Sequence, residues 1–565
     1  MFSIQKIGVI GRTYRHLNRY RQIIAVFVKY GLGDLIDRLN IDQYIEVGMQ
    51  MISRKRRERV DKFTTAERIR IAFEELGPTF IKFGQILSTR PGLLPVDYID
   101  ELSKLQDNVP PYPFSGVKAI FTSELGVPPE ELFSSFNEHP LASASIGQVH
   151  KAILKNGDYV AVKVQRPGIK KIIEVDLEIM LHIATLMERN IEEISFHKPV
   201  KIVEEFARTL ENEIDYIREA ANMERFSRQF IDDPNIYIPK VYPETSTSRV
   251  LTMEYIDGIK VSQSSILEKH NEDKKIIVER GANLLLKQIF ENGFFHADPH
   301  PGNIFVLPDN VICFLDYGMV GSIDRTTREN FVDLIDSVVN EDASTAAHVL
   351  LQLTNWENEP DIKYLKRDLE DLIGQHLYKT LENIDISRII QQVFELSYRH
   401  HLRIPPDIFF MIKVFGTLES IASSLYPEFD MILQTKPFIK KIKLSRYNPH
   451  RITKDIIRFI SDLNFFAYQF PKDILDITRM IKKHTFSIKF EHQGLETMLI
   501  KHDQISNRIS FSIIIAALLI GSALIVISKT PPLVYGISMI GIVGFIAAAF
   551  MGIWLLVAIL RKGRL

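Results

Sequence analysis

The chain has 565 residues, with 69 lysines and arginines against 70 aspartates and glutamates, and it contains one cysteine. The formal net charge of −1 excludes a globally basic nucleic-acid-binding protein. The single cysteine, Cys313, excludes an intrachain disulfide framework and any zinc or iron–sulfur site made from several cysteines of one chain.

The N-terminal segment is the basic part of the chain. Residues 1–60 hold 12 lysines and arginines and 5 acidic residues, a net charge of +7, so the rest of the chain carries −8. Arginines alternate with apolar residues over 7–19, and residues 54–57 are four consecutive basic side chains. This pattern favours contact with anionic lipid headgroups, although a solvated helix face is an equally good interpretation.

Helical and β-type patterns follow in turn. Residues 66–87 have helical periodicity with an interruption at Gly77-Pro78. Residues 146–154 and 157–165 predict a β-hairpin, preceded by a loop of small residues over 142–147. Lys163 lies inside the second, apolar strand, where a lysine requires an anionic partner such as a carboxylate or a polyphosphate. The lack of bulk in the loop allows its backbone N–H groups to approach phosphates.

A long charged stretch over residues 203–230 predicts one helix, and residues 250–255 predict another strand. On a continuous helix, Glu213 would lie about 200° from Asp215 and about 240° from Glu219. The three acids therefore cannot share one face of such a helix, and separate roles are predicted for them.

The polar residues with the clearest chemistry lie near a second predicted hairpin. A helical pattern over 278–290 leads to Asp298-Pro-His-Pro-Gly-Asn303, and the hairpin over 303–315 ends at Asp316-Tyr-Gly318. Two carboxylates and one carboxamide at these loop ends predict an oxygen-rich pocket of the kind that Mg²⁺ prefers. Beyond Asp324 the pattern is mostly helical to about residue 480.

The C-terminal region predicts two membrane-spanning helices, over residues 509–528 and 533–560, joined by a turn at 529–532. Basic residues flank both outer ends, so the positive-inside rule places the soluble part in the cytoplasm. Gly544, Ala548 and Gly552 recur every four residues, which favours close packing within the hairpin, with self-association into a homodimer as the alternative.

The order of these features resembles the UbiB family of atypical kinase-like proteins, also called aarF-domain-containing kinases. The resemblance covers about residues 76–429. It rests on five segments of the sequence. They are Lys82-Phe-Gly-Gln85, the alanine-rich loop 142–145 that runs into His150, Glu213-Ile-Asp215 with Arg218-Glu-Ala220, residues 295–303 and residues 315–318. It implies an α+β fold of atypical protein-kinase type, with a small β-containing lobe and a helical lobe. The predicted segments are a helical extension with the KxGQ motif (1–135), the small lobe (136–256), the helical lobe (257–500) and the transmembrane hairpin (505–565).

The resemblance also implies roles for individual residues, with ATP and Mg²⁺ as cofactors. Asp298 would be the catalytic aspartate, and Asn303 and Asp316 would bind Mg²⁺. Lys163 would contact the phosphates and pair with Glu219. Lys82 and Gln85 would belong to the extension that folds over the site, with Lys82 near Glu213. The nucleotide would also contact the alanine-rich loop and the hinge, which comprise Ala142, Ser143, Ala144, Ser145, Ile146, Met253, Glu254, Tyr255 and Ile256.

Departures from ordinary protein kinases shape the expected function. Ala144 stands in place of a glycine-rich loop, Ala297 replaces the arginine of His-Arg-Asp, and no Ala-Pro-Glu follows Gly318. We therefore expect ATP hydrolysis or phosphorylation of a small lipid-like molecule, in support of ubiquinone biosynthesis, rather than phosphorylation of proteins in trans. A nucleotide-switched pseudokinase scaffold is the alternative.

The same features predict the binding partners and the cellular location of the protein. The expected partners are the lipid bilayer, prenyl-quinone precursors and other ubiquinone-biosynthesis proteins, without nucleic acid. The expected location is the bacterial inner membrane, as a multi-pass protein. A zinc hydrolase that uses His296 and His300 is a weaker hypothesis. Histidines four residues apart can bind zinc from one face of a helix, but the prolines in this stretch prevent a helix. A hydroxylase lacks a GxGxxG motif or a haem-type cysteine.

Overall fold

The computed structural model describes residues 14–39, 63–88, 96–105, 109–191, 198–270, 272–356, 360–377, 392–393, 395–397, 399–482, 495–535 and 537–562. The basic cluster at 54–57 lies outside these residues. The chain divides into two compact units, Met1–Thr453 and Lys454–Leu565. This division falls inside the segment 257–500 that the sequence predicts as one helical lobe.

A helical extension begins the first unit. Its helices are α1 (Tyr14–Lys29), α2 (Gly33–Arg38), α3 (Thr65–Leu76), α4 (Pro78–Ser88) and α5 (Val96–Leu102). A capping box between Thr64 and Glu67 begins α3. Gly77, with φ of +96°, ends that helix, and Pro78 begins the next one. The predicted interruption of the helix is thus confirmed.

The small lobe is built on an antiparallel sheet. Helices α6 (Phe114–Leu125) and α7 (Pro129–Leu132) precede strands β1 (Phe133–Phe136), β2 (Ala142–Ser143), β3 (Gly147–Leu154) and β4 (Tyr159–Gln165). β1 and β2 pair with the two halves of β3, and β4 lies between β3 and β6 (Val250–Glu254). Lys163 is therefore on a central strand, opposite Val149 and Leu251. The hairpin and the third strand agree with the prediction.

Three helices separate β4 from the rest of the lobe: α8 (Ile169–Asn190), α9 (Pro199–Glu213) and α10 (Tyr216–Gln229). The prediction of one continuous helix over 203–230 is wrong. The chain breaks at Ile214, and the Asp215 side chain accepts the Ile217 N–H at 3.2 Å to begin α10. Since a break changes the direction of the chain, the angles expected for a continuous helix do not apply to Glu213 and Glu219.

The extension shares one hydrophobic core with α8 and α9. This core, called the extension core below, contains buried residues of α1, α3 and α4, of α8 and α9, and Ile146. A separate core lies in the helical lobe and reaches α10 and β6. The two cores meet at the alanine-rich loop, because Ile146 belongs to the extension core and Val149 packs on the other.

The helical lobe has short strands at its entrance and helices behind them. The strands are β5 (Ile236–Tyr237), β7 (Ile259–Lys260), β8 (Phe294–His296), β9 (Ile304–Leu307), β10 (Val311–Phe314) and β11 (Val320–Ser322). The helices are α11 (Ser264–Lys269), α12 (Lys274–Leu286), α13 (Arg325–Val339), α14 (Ala343–Leu353), α15 (Ile362–Leu377), α16 (Pro406–Leu425) and α17 (Met431–Ser445). A π-helical turn, Lys287–Asn292, joins α12 to β8. The predicted second hairpin is confirmed as β9–β10.

Helix α16 is long and apolar enough to span a membrane, but it is part of the core of the helical lobe. Met411, Val414 and Phe415 are among its buried residues, and the hydrophobic core of the lobe contains them. Its apolar composition is therefore explained by packing against protein.

The second unit contains most of α18 (Pro449–Lys482), then α19 (Leu495–Ile527) and α20 (Met539–Lys562). Ile505–Ile527 and Met539–Leu556 are long and apolar enough to cross a membrane. The second span begins later than predicted, because Leu533–Val534 and Ile537–Ser538 pair as a short β-ribbon. A Cβ on Gly544 would lie 2.1 Å from the Ser522 Oγ, so this glycine permits close packing of the two helices within the hairpin.

Candidate active site

A cavity of about 160 Å³ lies between the small lobe, the extension and the helical lobe. Most of the residues that the sequence singled out line it. These are Lys82, Ala142, Ser143, Ala144, Ile146, Lys163, Glu213, Glu219, Asp298, Asn303 and Asp316. Residues more than 200 positions apart in the chain thus converge on one small volume.

A lysine between two carboxylates forms the centre of the cavity. The Lys163 ammonium donates to both Glu219 oxygens at 3.0 and 2.8 Å, and its nitrogen lies 3.8 Å from Asp316 Oδ1. Burial alone would lower the pKa of Lys163, but Asp316 and Glu219 outweigh it and raise the pKa well above its ordinary value. Lys163 is therefore a fixed positive charge.

Asp316 is the corresponding fixed negative charge. Lys163 is the main cause that lowers the pKa of Asp316 to about 2, against the opposing effect of burial. The Gly318 N–H, which donates to Asp316 Oδ1 at 3.0 Å, adds to the effect. Because this pKa is below the ordinary value, the carboxylate is ionised at neutral and mildly acidic pH and becomes protonated only as the pH falls to about 2. An ionised carboxylate that lines the same cavity as the Asn303 amide suits a hard divalent cation.

Asp298 is held by a lysine from a distant helix. Lys413, on α16, donates to Asp298 Oδ1 at 2.7 Å. The backbone N–H of Asp298 donates to Nδ1 of His296 at 3.1 Å, and the backbone N–H of His296 donates to the side-chain oxygen of Gln288, in the π-helical turn, at 2.9 Å. These contacts fix the position of the carboxylate at the cavity.

The extension closes one side of the cavity. Lys82 on α4 forms an ion pair with Glu213 at the end of α9, and both side chains are largely buried. A Cβ on Gly84 would lie 2.3 Å from Leu105 and 2.9 Å from Phe73, so this position accepts no side chain without displacement of its neighbours. Glu213 and Glu219 both line the cavity, because the break at Ile214 separates their helices. The expectation that they face different ways is wrong.

The cavity offers groups that suit a polyphosphate. The Tyr216 and Ser143 hydroxyls are buried and have no hydrogen-bond partner within the described parts of the chain. A Cβ on Gly147 would lie 2.5 Å from the Tyr216 hydroxyl, so only glycine leaves this space. The Ala144 N–H donates to the Gly147 carbonyl at 2.8 Å, and it is therefore not directed at the cavity as the sequence suggested. Hydroxyls and Lys163, rather than that N–H, are the donors that fit phosphate oxygens.

Some predicted site residues lie elsewhere. The Gln85 amide donates to the Leu105 carbonyl at 3.1 Å, and Ser145 is fully buried. In the hinge segment, residues 253–256, the Glu254 carboxylate accepts a hydrogen bond from the Tyr237 hydroxyl, and the Tyr255 backbone N–H donates to the Tyr159 carbonyl. Met253 and Ile256 are buried. These six residues are not part of the cavity lining, and their functional roles stay predictions.

Comparison with known protein families agrees with this layout. The ABC1 atypical kinase-like domain matches residues 104–350, the UbiB helical domain matches 369–430, and the ABC1/UbiB kinase-like C-terminal domain matches 493–561. A probable protein kinase UbiB from Cellvibrio japonicus is 33% identical over 446 residues, 76% of this chain and 81% of its own. The chain belongs to the UbiB family of atypical kinase-like proteins. The kinase-like α+β fold expected from the sequence is thereby confirmed.

Other similar proteins match over different lengths. A Clostridium pasteurianum protein, described as an uncharacterized protein in the hydrogenase 1 5'region, is 32% identical over 97% of this chain and 99% of its own. The Arabidopsis thaliana chloroplast protein ACTIVITY OF BC1 COMPLEX KINASE 7 is 36% identical over 74% of this chain and 61% of its own. The solved complex of Rv3197 with erythromycin from Mycobacterium tuberculosis covers 61% of this chain and 91% of its own, at 25% identity and a TM-score of 0.42.

Sequence reasoning missed Lys413 and Tyr216. Lys413 comes 115 residues after Asp298, within the UbiB helical domain. It is the one charged residue between Asp407 and Glu419 on an otherwise apolar helix. A lone lysine in such a helix requires an anionic partner, which is the signal that could have identified it.

Proposed function

We propose that this protein binds ATP with Mg²⁺ and either hydrolyses it or transfers its terminal phosphoryl group to a small, lipid-like molecule. One observation carries the proposal: Lys163, Asp298, Asn303 and Asp316 line the same cavity. This set of groups in this order is the one that phosphoryl transfer requires in kinase-like proteins.

Each side chain has a task in this proposal. Asp316 and Asn303 would hold Mg²⁺, which when bound would neutralise charge on the phosphates. Lys163, kept in place by Glu219, would contact the phosphate oxygens, and the Tyr216 hydroxyl would donate to one of them. Asp298 would orient the attacking hydroxyl or water and accept its proton.

The surroundings of the cavity favour a small acceptor over a protein. The Lys82–Glu213 ion pair covers one side of the cavity, and only residues 319–324 separate Gly318 from helix α13. Three of these six residues form β11, which pairs with β8. This stretch leaves no room for the activation segment on which protein kinases dock a peptide.

The proposed biological setting is prenyl-quinone, and specifically ubiquinone, biosynthesis. The relatives named UbiB support it, as do the two apolar helices of the second unit. We place the protein in the bacterial inner membrane with its first unit in the cytoplasm, since the basic residues flank the outer ends of the hairpin. Quinone precursors dissolved in the bilayer, and other enzymes that act on them, would be its partners.

The direct test uses the purified full-length protein in lipid vesicles with ATP and Mg²⁺. We expect phosphate release that falls about 10²- to 10⁴-fold in the Asp298→Asn variant, because a general base is lost. A panel of peptides should remain unphosphorylated. Robust peptide phosphorylation that disappears in Asp298→Asn would overturn the proposal. Quinone production that survives Asp298→Asn but not Lys163→Ala would instead indicate a nucleotide-switched scaffold.

Lys413 offers a second test of the site. The Lys413→Met variant should hydrolyse ATP about 10- to 100-fold more slowly, because Asp298 loses the contact that fixes its position. The KM for ATP should change little, since Lys413 is not among the residues lining the cavity. Lys413→Arg should restore part of the rate because it keeps the charge. A raised KM with an unchanged kcat would contradict the role of Lys413 in positioning Asp298.

A further inference from the structure

Helix α18 (Pro449–Lys482) exposes an unusual amount of apolar surface. Thirteen large apolar side chains on it are between 43% and 73% exposed, a surface that monomeric soluble proteins rarely leave to water. They are Ile452, Ile456, Ile457, Phe459, Ile460, Leu463, Phe465, Phe466, Tyr468, Phe470, Ile474, Leu475 and Ile477. Neither the sequence patterns nor the proposed function assigns these side chains a role.

Most of these residues occupy one side of the helix. At 100° per residue, nine of the thirteen lie within about 60° of Leu463 around the helix axis. All nine charged residues of 452–482 lie at least about 80° away from Leu463, and Lys472 is directly opposite to it. The helix is therefore strongly amphipathic.

We propose that this apolar face lies in the interface of a lipid bilayer, with the helix axis parallel to the membrane plane. From Ile452 to Ile481 the helix is about 45 Å long, and its charges prevent it from crossing the hydrocarbon core. Phe459, Phe466 and Phe470 lie on this face, and phenylalanine is common on the apolar face of helices that lie in a membrane interface. The Lys472 ammonium lies 4.8 Å from the Tyr468 ring centroid and can reach the headgroups from the polar side.

Continuity of the chain with the membrane hairpin favours lipid as the partner that covers the apolar face of α18. Residues 454–482 belong to the same compact unit as the two apolar helices Ile505–Ile527 and Met539–Leu556, and only residues 483–504 lie between the helix and the first of these spans in the chain, so the hairpin tethers the helix within reach of a bilayer. The nine apolar side chains span about 120° of the helix surface, which is wider than the seam of two positions in seven that pairs a second copy of a helix. Five basic and four acidic residues over 452–482 leave a net charge of +1, so apolar insertion is the main source of affinity.

The test compares two positions on opposite sides of the helix. Leu463→Cys and Lys472→Cys are made in the full-length protein, labelled with a nitroxide and placed in phosphatidylcholine vesicles. Cys313 is fully buried and does not compete for the label. Accessibility to oxygen, which concentrates in lipid, and to a water-soluble nickel chelate is then measured by electron paramagnetic resonance.

We expect the two labels to give inverted results: oxygen reaches the label at 463, and the nickel chelate reaches the label at 472. Equal access of the nickel chelate to both labels would overturn the proposal, since the helix would then lie in water. Spin–spin broadening at 463 that disappears on dilution with unlabelled protein would also overturn it, in favour of a second copy. Circular dichroism of both variants verifies that the helix is retained. The result does not depend on whether the protein hydrolyses ATP.

Discussion

Replacing Asp316 with asparagine is expected to lower the rate of ATP hydrolysis at least about 100-fold, equivalent to about 2.7 kcal/mol in the activation free energy. The amide removes the negative charge that would hold Mg²⁺ and that lies 3.8 Å from the Lys163 ammonium. Phosphate release at saturating ATP and Mg²⁺ measures the effect, and titration with Mg²⁺ should show a weaker apparent affinity for the metal.

Asp309→Asn is the matched control for this change. Asp309 lies in the turn between β9 and β10, its side chain is exposed, and the same atoms are exchanged. Its φ of +63° is one that asparagine adopts readily. Turnover in this variant should equal that of the unchanged protein. An Asp316→Asn protein with full turnover would refute the assignment of Asp316 as a metal ligand.

Arg19→Ala is expected to destabilise the helical extension by about 3–5 kcal/mol. Arg19 on α1 donates to both oxygens of Asp176 on α8, at 2.7 and 3.0 Å, and to the Leu76 carbonyl at 2.7 Å. Asp176 is 1% exposed, so removal of the guanidinium leaves a buried carboxylate without its counter-charge. Hydrogen exchange in the full-length protein should report faster opening of α1 and α8.

Arg21→Ala is the corresponding control, because Arg21 is exposed on the same helix. Its effect on the opening free energy should stay within about 0.5 kcal/mol. The double variant Arg19→Leu/Asp176→Leu should recover most of the loss, since it removes both charges together. If Arg19→Ala and Arg21→Ala gave the same exchange rates, the ion pair would have no structural importance.

The parts of the site that follow local sequence patterns were predictable. Lys163 could be placed on a strand because apolar residues flank it, and Asp316 could be placed at the end of a hairpin because the turn residues before it are distinctive. The resemblance to the UbiB family then implied Glu219 as the partner of Lys163, and the two side chains form that ion pair. Patterns of a few residues sufficed to place Lys163 and Asp316.

The rest depends on contacts between distant parts of the chain. Nothing near Asp298 in the sequence indicates Lys413, because packing of α16 in the helical lobe brings the two together. The break at Ile214 was hidden because Glu213, Asp215 and Glu219 all occur readily in a charged helix, and the capping by Asp215 is seen only in three dimensions. The exposed face of α18 was missed for a related reason, since helical periodicity looks the same whether the apolar side meets protein or lipid.

The position of Ile146 would link binding of a nucleotide to folding of the helical extension. Ile146 is buried in the extension core, while it and its neighbours Ser143 and Ala144 line the cavity. A nucleotide that contacts this loop only in the folded form must stabilise the extension through mass action. Each tenfold increase in nucleotide concentration above its Kd then adds about 1.4 kcal/mol to the free energy needed to unfold the extension. The cellular nucleotide pool would thus set how long this part of the protein resists proteases.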